Sequence, residues 1–169
     1  GGQALSGFRL AKLNSRINEI DPAARVSAAE YWHFAESGDV LADGPMQVLR
    51  RLLDYGEAAP AANPQGELLL VVPRIGTISP WSSKATDILR QCGLAAVTRV
   101  ERGIAFHLHG ANDAARRTIT PLLNDRMTET VLAGFAEAQA LFRHVKPREL
   151  RSVPLLKEGV VALACHGSA

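Results

Sequence analysis

Leu68-Leu69-Leu70-Val71-Val72 runs straight into Pro73-Arg74-Ile75-Gly76-Thr77-Ile78-Ser79-Pro80-Trp81-Ser82-Ser83-Lys84-Ala85-Thr86-Asp87-Ile88. Unbroken apolar residues closed by a proline read as a buried strand. The segment that follows passes two prolines and a tryptophan before helical spacing sets in. An indole in a connection is wasteful unless it is covered, because burying the ring is worth roughly 2–3 kcal/mol. The segment therefore reads as a docking element: a strand must stop, turn and present an aromatic side chain at the start of a helix.

The remaining periodicities alternate helix and strand. Ser6 is placed to cap a helix with Leu10, Leu13, Ile17 and Ile20 on one face, ended by Asp21-Pro22. Val26 to Ala35 is rich in β-formers and aromatics and predicts a strand. Gly44-Pro45 opens a second helix with Met46, Leu49, Leu52 and Leu53 inward, and Gly56 stops it. A loop spans Ala58 to Gly66, and the buried strand covers Glu67 to Val72. A third helix runs from about Ser83 to Cys92, with Ala85, Ile88, Leu89 and Cys92 on its apolar face, terminated by Gly93. Val97 to His109 is a long strand with Ile104, Phe106 and Leu108 on one side, and Gly103 within it suggests a bulge or bend. Asn112 caps a helix carrying Ile119, Leu122 and Leu123, in which Pro121 demands a kink or a fresh start. Thr128 to Leu132 predicts a short strand, and Phe135, Ala138, Leu141 and Phe142 are helically spaced. Helix–strand–helix–strand thus occurs twice. The fold class is α+β, with the strands in one sheet or two packed sheets and helices outside.

With 47% hydrophobic residues in a chain of 169, a real core is expected. The net charge of +2 argues neither for nor against nucleic acid, but Lys and Arg form no run, and Arg50-Arg51 and Arg116-Arg117 read as solvated helix faces, so nucleic acid is not an expected partner. No apolar stretch is long enough to span a bilayer and no secretory signal is visible, so a cytoplasmic protein is expected. Cys92 and Cys165 form no C-x-x-C pair, and Cys92 is expected to be a reduced core thiol.

Few residues suggest chemistry. Ser82, Ser83 and Lys84 lie near a helix start, where free N–H groups favour an anion. With Arg74 they form either a small anion site or an ordinary serine cap beside a solvated lysine. There is no phosphate-loop glycine pattern. His107 and His109 share a strand face, but no third metal ligand is placed by spacing. His33, His144 and His166 are scattered. Glu101 and Arg102 are strand neighbours on opposite faces, so they do not pair, and either one can face a partner. Asp125 to Glu129 reads as a structural helix-to-strand passage. No nucleophile has a base beside it and no carboxylates are paired for catalysis.

The Pro73–Ile88 segment, together with Gly7-Phe8-Arg9, Ala29-Glu30-Tyr31-Trp32-His33-Phe34-Ala35, Leu53-Asp54-Tyr55-Gly56, Val100-Glu101-Arg102-Gly103 and Asp125-Arg126-Met127-Thr128-Glu129-Thr130-Val131, carries a resemblance in order and spacing. The chain resembles the N-terminal region of the large, single-chain phosphoribosylformylglycinamidine synthases, glutamine-dependent amidotransferases of purine biosynthesis. The resemblance implies residues 1–146 as a domain like two fused copies of a small companion subunit, with a mainly antiparallel sheet covered by helices. It implies that residues 147–169 begin a linker domain. ATP and magnesium belong to the synthase part of the parent enzyme, and no catalytic, cofactor or metal residue is expected here. The expected partners are the linker, synthase and glutaminase domains of the same polypeptide. Arg74, Ile78, Pro80, Trp81, Ser82, Ser83, Lys84 and Arg102 are the expected contact residues, in a scaffold that helps form an ammonia path. The alternatives are a free-standing interaction or regulatory domain, and a small phosphate-ligand enzyme using Arg74 and Lys84.

Overall fold

The computed structural model describes residues 2–56 and 66–143. The expected loop from Ala58, the expected linker start at residue 147, and Cys165, His144 and His166 lie outside the described residues. Helix α1 (Gly7–Asn18) is capped by Ser6, whose hydroxyl accepts from the Arg9 N–H. Ile20 lies beyond its end and is exposed. Strand β1 (Arg25–Ser37), helix α2 (Asp43–Leu53), strand β2 (Glu67–Pro73), helix α3 (Pro80–Gln91), strand β3 (Val97–His109), helix α4 (Asp113–Leu123) and strand β4 (Glu129–Leu132) follow. A 3-10 helix (Phe135–Phe142) closes the described chain.

The four strands form one antiparallel sheet in the order β1-β3-β2-β4. Both β1 and β2 run opposite to β3, so β1 and β2 are mutually parallel with β3 inserted between them. By the same reasoning β3 and β4 are parallel with β2 between. Two strand–helix–strand crossovers therefore interleave in one sheet. The free edge of β1 is covered by the N-terminal residues: the Ala4 N–H donates to the Ala29 carbonyl and the Tyr31 N–H to that of Gly2. This satisfies edge groups that would otherwise invite another strand.

Residues directly opposite in an antiparallel pair share a face. Ile104, Phe106 and Leu108 of β3 therefore join Ala29, Leu69 and Val71 under α1 and α4, where Ile17 and Ile119 are fully buried. The alternation expected for β3 holds on this face. Leu70, Val72, Ala105 and Leu132 face the other way, against Ala138 and Leu141 of the 3-10 helix. A third cluster joins α2 and α3 to the start of β3 through Leu49, Leu89, Leu94, Val97 and Val100.

β2 pairs with β3 only over residues 67–71, against 104–108. Beyond that, Pro73 turns the chain away and the first half of β3 loses its neighbour on that side. Helix α3 occupies the gap, and the Thr86 hydroxyl accepts the Val100 N–H (3.2 Å) that β2 would have paired. The far end of α3 is fixed equally firmly. Gly93 takes the left-handed conformation (φ +82), the Gly93 N–H donates to Arg90 and the Leu94 N–H to Leu89, and Leu94 packs on Leu89.

Four local expectations are corrected. α3 begins at Pro80 rather than near Ser83, because proline suits the first helical position and Ser79 is the cap. Gly103 carries no bulge, since its register with Trp32 is regular and the shifts fall at Val26/Ala28 and Glu36/Ser37. Its role is close approach: a Cβ there would stand 2.8 Å from the Val71 carbonyl oxygen. Pro121 starts no second helix; α4 runs through it and ends two residues later, so little hydrogen bonding is sacrificed. Cys92 is exposed, because it caps α3 instead of sitting on its inner face.

Gly103→Ala is expected to lower stability by roughly 1–3 kcal/mol, since backbone must move to admit the methyl. A urea unfolding midpoint shifted at unchanged slope would register it, and an unshifted midpoint would show that this approach is not tight.

Candidate functional site

Ser79 organises the segment that the sequence singles out. Its hydroxyl accepts from the Ser82 N–H at 3.0 Å, capping α3, and donates to Glu101 Oε2 at 2.7 Å. The Ser79 N–H donates to Glu101 Oε1 at 3.3 Å. Glu101 is fully buried, and Arg99 donates to its Oε1 from Nη2 (2.6 Å) and from Nε (3.1 Å). Arg99 Nη2 also donates to the Thr77 carbonyl at 2.6 Å, and the guanidinium lies 5.5 Å from the Phe142 ring centre. The turn is tied further by Thr77 Oγ1 donating to the Arg74 carbonyl and the Arg74 N–H donating to Thr128.

This arrangement answers the helix start from within the domain. The positive end of α3 already faces a carboxylate, that of Glu101. Arg74 and Lys84 do not converge either: Arg74 lines a cavity of about 510 Å³ with Ile78, Met127 and Glu129, whereas Lys84 lines another of about 460 Å³ with Trp81 and Ile88. Among the described residues no three His, Cys, Asp or Glu side chains are grouped to hold a metal, and His107 and His109 stay a pair without a third ligand.

Trp81 and Arg102 do meet. The Arg102 guanidinium carbon lies 4.3 Å from the Tyr31 ring centre and 5.0 Å from that of Trp81, which places the cation between two aromatic faces. Arg102 Nη1 donates to the Tyr55 hydroxyl at 3.2 Å. The same hydroxyl is 2.8 Å from His33 Nε2, and the His33 ring lies 5.6 Å from that of Trp81. Register explains the gathering: Tyr31 faces Ile104 and His33 faces Arg102, so all four share the helix-covered side of the sheet. Burial, and then the neighbouring Arg102 charge, lower the His33 pKa from 6.5 to about 4. His33 is thus neutral at physiological pH.

Trp81 is half-buried and packs against the α2–α3 cluster. Beside it, Ile88 (48% exposed) leaves apolar surface open with Pro80 and Lys84, while Ile78 (62% exposed), in the turn before α3, opens onto the separate cavity that Arg74 lines. Ser83 is exposed, while Ser82 is wholly buried and its hydroxyl does not reach that surface. Between α2 and α3 lies the 460 Å³ groove lined by Leu52, Leu53, Trp81, Ala85, Ile88 and Leu89.

Sequence reasoning missed Glu101's role as a buried anchor and the grouping of His33, Tyr31 and Tyr55 around Arg102. The signals were available. Arg99 and Glu101 are two apart on a strand and so share a face, as are Tyr31 and His33. No helix among the described residues is long and apolar enough to cross a membrane.

A family model described as formylglycinamide ribonucleotide amidotransferase N-terminal matches residues 30–142. The match starts within β1 and reaches the last residue of the 3-10 helix, so it contains the whole Ser79–Glu101–Arg99 anchor, the Arg102 cluster and the α2–α3 groove.

Glu101→Ala is expected to cost on the order of 3–5 kcal/mol, because it strands the buried Arg99 charge. Chemical denaturation would check this, and a cost below about 1 kcal/mol would mean that water already reaches the pair. For His33 the sign follows from its depressed folded-state pKa. The unfolded chain binds the proton more tightly, so the His33 contribution to stability is complete above pH 6.5 and is lost as pH falls toward about 4. In NMR titration the His33 ring should change near pH 4, and Arg102→Gln should move that midpoint upward. A midpoint near 6.5 in the unaltered protein would contradict the packing around His33.

Proposed function

Since the chain belongs to the formylglycinamide ribonucleotide amidotransferase N-terminal family, and so to a purine-biosynthesis amidotransferase, we propose that this domain is a scaffold docking on the enzyme's other domains. The reaction converts formylglycinamide ribonucleotide, glutamine and ATP to formylglycinamidine ribonucleotide, glutamate, ADP and phosphate, and the linker, synthase and glutaminase domains supply its chemistry. This domain contributes a rigid surface formed by Ile78, Pro80, Trp81, Lys84 and Arg102, with Arg74 and Ser83 at its margins, and helps seal the path by which ammonia moves between centres. The observation that carries the reading is the apolar surface held open along α3 and the turn before it: Ile88, in the groove beside Trp81, and Ile78, ahead of the cap, remain exposed although the helix is anchored at both ends.

The physical reason for a seal is acid–base chemistry. Ammonia released to water at neutral pH is largely protonated and no longer nucleophilic, so a path closed to water protects the reaction. A docking domain serves such a path by holding its neighbours in one orientation. Rigid presentation suits this task, because a pre-ordered surface loses less conformational entropy on contact.

Ile78→Asp and Ile88→Asp, placed together in the complete polypeptide, test the reading. Both positions are exposed, so the domain's own stability should change little, by about 0.5 kcal/mol per substitution. Glutamine-supported synthesis is expected to fall about tenfold, corresponding to ~1.4 kcal/mol of lost domain contact, while synthesis fed with external ammonia falls much less. Equal loss in the two assays would point to general destabilisation and remove the ammonia-path role.

A further inference from the structure

The α2–α3 groove has a chemical character that narrows what can sit in it. Its wall is apolar, and Lys84 is the charged side chain among its lining residues. Trp81 and Lys84 lie three apart on α3, on one helical face. Against the Trp81 ring lies Arg102, half-buried and stacked on Tyr31 as well. A guanidinium carries five N–H donors. Among the described residues Arg102 uses one, to the Tyr55 hydroxyl, and neither it nor Lys84 has a carboxylate partner. Neutral His33 does not answer the charge. Among the described residues neither cation is answered by a carboxylate: Lys84 lines the apolar groove, and Arg102 stacks on the Trp81 ring that borders it.

Resting on the docking role above, we infer that the groove receives an acidic amphipathic segment from elsewhere in the complete polypeptide, its apolar side chains entering beside Trp81 and its carboxylates meeting Lys84 and Arg102. Charge complementarity selects this occupant. The residues after 143 carry Lys146, Arg148, Arg151 and Lys157 against Glu149 and Glu158, and bring surplus positive charge to a positive rim. A second copy meeting the groove about a two-fold axis would set Lys84 and Arg102 near their own counterparts. An acidic segment has neither fault. An arginine held between aromatic rings is also the kind of pre-ordered side chain that dominates protein interfaces.

The test is zero-length carbodiimide cross-linking of the complete polypeptide, which joins a lysine amine to a carboxylate only in direct contact, read by peptide mass spectrometry. The expected product joins Lys84 to an Asp or Glu outside these 169 residues. In the Lys84→Glu, Arg102→Glu double variant, hydroxyl-radical labelling of Trp81 and Ile88 should rise severalfold, using the exposed Phe8 and Val40 as references. Slow labelling of Trp81 and Ile88 without a Lys84 cross-link, unchanged in the double variant, would overturn the acidic segment while leaving the docking role intact. Labelling at Trp81 and Ile88 as fast as their exposure in this domain allows would mean that the surface is open and would remove the docking role itself. A cross-link from Lys84 to a carboxylate within the domain, Glu57 for example, would also overturn the inference.

Discussion

The carboxylate of Glu101 holds the structure's least regular half in place. Strand β2 leaves the sheet after pairing with only part of β3, and a helix must then fill the vacated edge. A helix against a sheet edge has no repeating ladder to set its position. Glu101 supplies that position by taking hydrogen bonds from Arg99 and from both the backbone and the hydroxyl of the α3 cap residue Ser79. Burying two charges is costly, and an apolar replacement of equal shape is often no less stable. What the charged pair provides here is direction. It fixes the rotation of α3 about its axis and the path of the turn before it, through Thr77.

That rotation decides what α3 presents. Thr86 and Leu89 turn toward β3, Trp81 lies against Arg102, and Lys84 and Ile88 are left outward. The indole is therefore shared: one part completes the domain's own packing with His33 and Arg102, and another borders the groove between α2 and α3. A tryptophan committed in this way neither hides completely nor swings free. The docking reading of the segment depends on that half-burial, and the half-burial depends in turn on the cap at Ser79.

The parts of this fold legible in the sequence are those governed by local periodicity. The apolar run before Pro73, the alternation of Ile104, Phe106 and Leu108, the caps at Ser6 and Asn112, and the stop at Gly93 all appear where spacing places them. The failures share a different cause. Ser79-Pro80 hides the start of α3 because a proline after an apolar strand reads first as a turn, although proline at the first helical position signals a start equally well. Helical spacing carried one residue beyond Gln91, the last residue of α3, puts Cys92 inward, whereas it is the cap from which Gly93 reverses the chain. Gly103 suggests a bulge in the sequence because a strand glycine has two explanations, and only the third dimension shows the Val71 carbonyl against it. The Arg102 cluster draws on β1, α2, α3 and β3 at once. No window of sequence contains it; the interleaving of two crossovers, which brings β3 beside β1, creates it.

Interleaving also explains why a domain with no assembled nucleophile or metal cluster among its described residues is nonetheless so closely tied. In a sheet ordered β1-β3-β2-β4, neither strand–helix–strand unit can be withdrawn without breaking the pairing of the other. Each outward surface is then backed by both units, and the α2–α3 groove is no exception, since α2 belongs to the β1–α2–β2 unit and α3 packs on β3. A surface built in this way resists local opening, because local opening would expose cluster residues contributed by both halves. For the scaffold role proposed above, that shared backing turns four strands and a buried ion pair into a stiff platform, on which the exposed side chains of α3 face outward.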